Sequence, residues 1–155
     1  MNADDKLAAL TEGYSGATAP AANYRNATRW GNLLFLSGKS SRRSVEGRLG
    51  VEIDLDEGRQ IARDVALELL LVLREELGSL SRVGQFIELQ GFINASEDFR
   101  EHARVLDGAS DLLVEVLGSV GVHARSVLGA VSLRGAQPVI LRAVVGIGDQ
   151  EALRD

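Results

Sequence analysis

Apolar positions recur along this chain with two periods, and the switches between them lay out its elements. Residues 1–12 carry a short helical pattern, and "GYSGATAPAAN" (13–23) reads as an irregular connection of small residues. "YRNATRWGNLLFLSGK" (24–39) offers two extended runs around Gly31-Asn32, a hairpin dipeptide, and "LLFLS" has the continuous apolar character of a buried strand. From Asp54 the period becomes helical. Asp54 suits an N-cap with Glu57 three residues on; Ile61, Val65, Leu69, Val72, Leu73 and Leu77 then follow on one stripe, and Gly78 suits the C-terminus. Arg63, Asp64, Glu68 and Glu75 fall on the other side, which reads as a solvated surface.

"QFIELQGFI" (85–93) returns to alternation, with Ile87, Leu89 and Ile93 expected on one side and Glu88 and Gln90 on the other. A second helix fits 98–118, its stripe being Phe99, Ala103, Leu106, Leu113, Val116 and Leu117. Two strands, about 124–133 and 138–147, close the chain around "RGAQP". The order ββαβαββ predicts an α+β fold, with both helices covering one face of a mixed sheet. The uncovered face would be as apolar as "LLFLS", "SVLGAVSL" and "PVILRAVVGI", so another subunit is expected to cover it. No linker or repeat divides the chain, and residues 1–155 read as one domain with 1–23 as an N-terminal extension.

Composition narrows the chemistry. With 45% hydrophobic and 25% charged residues the chain can bury a real core, and no stretch is apolar enough to span a membrane. The start "MNADDKLAAL" lacks a basic n-region and apolar h-region, so a cytoplasmic location is expected. Without cysteine there are no disulfides, thiolate sites or thiol nucleophiles. A net charge of −5 argues against nucleic acid as partner. Lys39, Arg42, Arg43 and Arg48 in "SGKSSRRSVEGR" (37–48) lack interleaved aromatics and read as a solvated loop. His102 and His123 have no second ligand at metal spacing, no G-x-S-x-G elbow appears, and no phosphate-binding glycine loop appears; neither metal nor cofactor is expected.

One charge stands out. In "GVHARSVLGAVSL" (121–133) a single guanidinium, Arg125, opens an otherwise apolar strand. It either leans out of the fold or meets an anion. Together with "YRNATRWGNLLFLSGKS", "GFINASEDF" and "DGASDLLVEVLG", the run "HARSVLGAVSL" resembles the RidA/YjgF family, small trimeric proteins of which some are imine deaminases and many are described as endoribonuclease-like. The resemblance runs from about Tyr24 to Ile147.

It implies a chorismate-mutase-like homotrimer with an inner β-barrel and ligand clefts between subunits. In the deaminating members an arginine after the second helix grips the carboxylate of an enamine or imine, and the match here is Arg125. Tyr24 matches a tyrosine near the cleft mouth, and Ser37 with Gly38 matches a Ser-Gly pair facing the ligand. Val127 stands at a position often occupied by cysteine, and the Asp107-Gly108 pair replaces an asparagine. The largest departure lies fifteen positions after the arginine, where the water-activating glutamate of the family is Ile140. An isoleucine moves no proton, so turnover should be slow unless Glu88 or Asp107 substitutes. Three readings follow: a weak imine or enamine deaminase, a non-catalytic small-acid binding or regulatory module, and, least supported by the acidic balance, a ribonuclease. Arg125 could instead serve only as half of an ion pair with an acidic residue across a subunit interface.

Overall fold

The computed structural model describes residues 1–148. Helix α1 (Ala3–Leu10) starts at a capping box between Asn2 and Asp5, and its Leu7 is fully buried. The hairpin of β1 (Ala27–Trp30) and β2 (Leu33–Lys39) turns at Gly31-Asn32 as expected. Helix α2 (Leu55–Leu77) begins at Asp54, whose carboxylate accepts from Glu57 N, and ends at Gly78 in the left-handed conformation that glycine adopts without a Cβ penalty. Then come β3 (Val83–Asn94), α3 (His102–Leu117), β4 (Ala124–Ala130) and β5 (Val139–Ile147). They form one five-stranded sheet in the order β1-β2-β5-β3-β4, antiparallel except for the β3/β4 pair. The architecture is the α+β arrangement that the order of elements predicts.

Four expectations need correction. The second helix starts at His102 rather than 98: Phe99 N donates to Ser96 O in a turn, so Phe99 reaches the core from outside the helix. Beyond Ala130 the strand does not continue to 133. Ile87 does not join Leu89 and Ile93, because the β3/β5 register shifts between Phe86 and Glu88; that bulge buries Phe86 and turns Ile87 outward. The fourth concerns α2. Every residue from Val65 to Leu73 is buried, Glu68 among them at 1% exposure. Glu68 is thus taken out of the solvated side by the segment that follows α1, whereas Glu75 stays exposed and Arg63 and Asp64 half-buried.

α2 and α3 cross closely. A Cβ placed on Gly108 would stand 2.1 Å from Arg59 O, so glycine is what lets the two backbones approach. The helices leave the opposite sheet face open. Register assigns Trp30, Leu33 and Phe35 of the hairpin, Ile140, Arg142 and Val144 of β5, Gln90 and Phe92 of β3, and Ser126 and Leu128 of β4 to that face. Trp30 is 83% and Leu128 50% exposed, although both are large apolar side chains. Among the described residues no helix is long and apolar enough to cross a membrane.

Candidate functional site

Arg125 lies on the edge strand β4, paired in register with Leu89, and its side chain is therefore on the helix-covered side. There it meets one stripe of α3, residues 103, 107 and 110, whose spacing of four and three puts them on a single face. Arg125 Nη2 is 2.8 Å from Asp107 Oδ1 and donates to Ala103 O at 3.3 Å, while Nη1 donates to Ser110 Oγ at 3.0 Å. The ion pair is thus made inside one chain, not across an interface.

The proton positions behind this contact follow from the partners. His123 Nδ1 is 2.6 Å from Gly121 O, a carbonyl that only accepts, so Nδ1 carries a hydrogen. In the neutral ring Nε2 then accepts, and Ser110 Oγ, 2.9 Å away, donates to it. The serine's lone pairs are left for Arg125. His123, tilted against Phe86 at a centroid distance of 5.5 Å, accordingly buttresses the arginine through Ser110 besides closing the turn before β4. Thirteen residues of separation between Ser110 and His123 hide this link in the sequence.

The other expected residues lie elsewhere. Ser37 Oγ donates to Arg25 O at 2.6 Å and its N–H to Asn26 O at 2.9 Å. Gly38 sits in a register shift of β2 between Leu36 and Lys39, and a Cβ there would come 3.1 Å from Ile140 Cγ2. Tyr24, 46% exposed, accepts from Ala21 N through its hydroxyl at 3.2 Å. Tyr24, Ser37, Gly38 and Ile140 therefore share the β1–β2–β5 side, whereas Arg125 and the half-buried Val127 stand on β4. From β2 to β4 there are three strand steps, roughly 14 Å at the usual spacing. Ile140 pairs with Phe92 and so with Leu128, whose parity puts it on the sheet face opposite Arg125. One protomer does not bring the two groups together.

Glu88 aligns with Ala124 and Val144 on the open face, away from Arg125. Of the two acids considered as substitutes, only Asp107 contacts the arginine.

A charged cluster supports the Ser37–Gly38 bend from beneath. Lys39, 6% exposed, donates from Nζ to Thr18 O at 2.7 Å and to Thr18 Oγ1 at 3.2 Å. Glu68 accepts from Thr18 N at 3.1 Å and Thr18 Oγ1 at 3.2 Å, and from Arg42 Nε at 2.6 Å. Arg42 also lies 4.1 Å over the Tyr14 ring and donates to Gly16 O. Burial lowers the Lys39 pKa from the ordinary lysine value, with Glu68 acting the other way. The basic run 37–48 is thus solvated only in part: Lys39 and Ser41 are buried and Arg42 pairs with the buried Glu68, whereas Arg43, paired with Asp64 of α2, and Arg48 stay exposed.

His102 packs edge-on against Phe99 at 5.1 Å and lines a cleft of about 320 Å³ with Ser96, Arg100, Gly129 and Val131, apart from Arg125. Among the described residues no three His, Asp or Glu side chains gather in a way that could hold a metal ion.

Residues 6–139 match the family described as "YjgF/chorismate mutase-like, putative endoribonuclease". The chain is 36% identical over 138 residues to Protein TCP17 of Trypanosoma cruzi, covering 86% of each. Its structure is similar to that of Atu1372 from Agrobacterium tumefaciens, a protein of unknown function, with 35% identity, a TM-score of 0.84 and coverage of 95% and 94% of the two chains. It also shares its fold with RidA from Psychrobacter, at 21% identity, a TM-score of 0.59 and coverage of 88% and 98%.

Proposed function

Because the chain belongs to the YjgF/chorismate mutase-like family, that of RidA, we propose that it assembles as a homotrimer and binds a small carboxylate between subunits through Arg125. The ligand is an imine, an enamine or the related ketoacid. The observation that carries the proposal is the split site: the oriented, half-buried guanidinium is on the edge strand β4, whereas Ile140 lies two strands away on β5, Ser37 and Gly38 three strands away on β2, and Tyr24 in the segment before β1. A second copy that brings its β2 side against β4 completes the cleft, and Val127 beside Arg125 adds apolar wall. The exposed apolar face formed by Trp30, Leu33, Phe35 and Leu128 supports the same assembly. Sedimentation should give three times the chain mass across the micromolar range. A mass of one chain at every concentration overturns the assembly and the cleft with it.

If the cleft is catalytic, water adds to the C=N carbon of the imine and the resulting carbinolamine expels ammonia, leaving the ketoacid. Arg125 holds the carboxylate and so fixes the neighbouring carbon. Ile140 supplies neither acid nor base, and this favours slow turnover or, as a second reading, binding alone for sensing or protection. Calorimetric titration with a panel of 2-oxo acids tests the binding that both readings share. A charge-assisted contact is worth roughly 1.5–3 kcal/mol, so Arg125→Ala should weaken binding about ten- to a hundredfold. Wild-type protein that takes up none of the panel would count against both.

A further inference from the structure

We infer that Asp107 makes the Arg125 cleft selective for zwitterions, α-amino or α-iminio acids, over acids that carry a carboxylate alone. The inference rests on the reading of Arg125 as the carboxylate anchor and adds the group that reads the rest of the ligand.

An arginine meant for a bare carboxylate would be expected without a competing acid. Here Asp107 Oδ1 stands 2.8 Å from Arg125 Nη2, and both side chains are partly open, 42% and 27% exposed. The guanidinium carries five hydrogens in a fixed fork. Three are taken by Asp107, Ser110 and Ala103, which leaves the Nε hydrogen and one on Nη1 without a partner among the described residues. Asp107 Oδ2 likewise has none. A cationic and an anionic group therefore sit side by side, each with unused capacity.

That pair has no net charge, so a simple carboxylate gains from Arg125 and is repelled by Asp107. An α-amino or α-iminio acid has its nitrogen one carbon away from the carboxylate. Laid antiparallel along the pair, it meets the arginine with its carboxylate and Asp107 with its N–H groups. The arrangement is rigid where it needs to be, since Ser110, backed by His123, holds Nη1, and the Ala103 carbonyl holds Nη2. Both acceptors belong to the same α3 stripe as Asp107, so anchor and reader move together.

For an imine the consequence is chemical. Asp107 favours the protonated C=N, the form water attacks: water adds its oxygen to that carbon, one of its protons passes to the nitrogen, and the C–N bond then breaks, ammonia leaving with the hydroxyl's proton as ammonium. Once ammonia has left, the ketoacid has no cation for Asp107 and is held less firmly. The acid thus separates substrate from product without taking the role of a proton-transferring base.

Two ligands with one carbon skeleton test this, 2-aminopentanoate and 2-oxopentanoate, titrated calorimetrically into the full chain at neutral pH. The amino acid should bind about tenfold more tightly, a difference of about 1.4 kcal/mol. In Asp107→Asn the amino acid should weaken by a similar factor while the oxo acid tightens, and Asp107→Glu, which restores the charge, should bring the preference back. Equal binding of both ligands by wild type, unmoved in Asp107→Asn, overturns the inference and leaves the carboxylate cleft standing. Binding of neither overturns the cleft itself.

Discussion

Replacing Glu68 by alanine is expected to lower the stability of the fold by about 3–5 kcal/mol, the usual cost of removing one partner from a buried ionic cluster. The size follows from what stays behind. Glu68, 1% exposed, is the anion that faces the Arg42 guanidinium and, through Thr18, the Lys39 ammonium. Without it Lys39 remains 6% exposed with only the Thr18 oxygens, Thr18 N loses its acceptor, and a cavity opens beside α2. Arg42, whose side chain is 27% exposed, can recover some hydration, which places the loss nearer the lower bound. Glu68→Gln keeps the volume and still accepts from Thr18, so it should fall between wild type and alanine. Urea unfolding measures this as a shift of midpoint at constant slope. A shift worth less than about 1 kcal/mol would mean that water enters the cluster freely and that the strap from Gly16 to Thr18 is only loosely held.

The second large effect is a gain. Ile140→Glu should raise imine hydrolysis by about 10²–10⁴-fold over wild type, the range that positioned acid–base groups supply. Ile140 Cγ2 lies against Gly38, and register puts Arg142 on the same sheet face two residues on, so a new carboxylate there would have a cation near it. An amino-acid oxidase generating the imine in place, with ketoacid formation followed against buffer, provides the assay. The gain should vanish in the Ile140→Glu, Arg125→Ala double variant, because the acid then works on an unanchored substrate. If the single variant keeps the wild-type sedimentation mass, binds 2-oxo acids and yet hydrolyses no faster, position 140 does not face the reacting carbon.

Much of the fold could be read before any coordinates. The Asp54 cap, the Gly78 stop and the stripe from Ile61 to Leu77 delimit α2 because each depends on residues within a few positions of one another. The same holds for the Gly31-Asn32 hairpin. The misreadings share a different cause. Glu68 looks like a surface residue until Thr18, fifty positions away, is laid over it. Ile87 follows the alternation of β3 in the pattern, but the fit of β3 to β5 inserts a bulge there that no local residue announces.

The candidate site divides along the same line. Arg125 stands out in the pattern alone, since a permanent charge in an apolar strand needs a partner, and Ile140 stands out as a missing acid once the resemblance is drawn. Neither observation says that Asp107 lies on the guanidinium, that Ser110 and His123 hold it, or that Ile140 is on the other sheet face. Capping and periodicity are written over short stretches of chain, and they specify which elements form and which stripe of each is apolar. Which charges meet is decided by how α3 settles against β4 and how the 11–24 segment folds back on α2. Those contacts are stabilised by burial summed over the whole core, so they have no signature in any one stretch of residues.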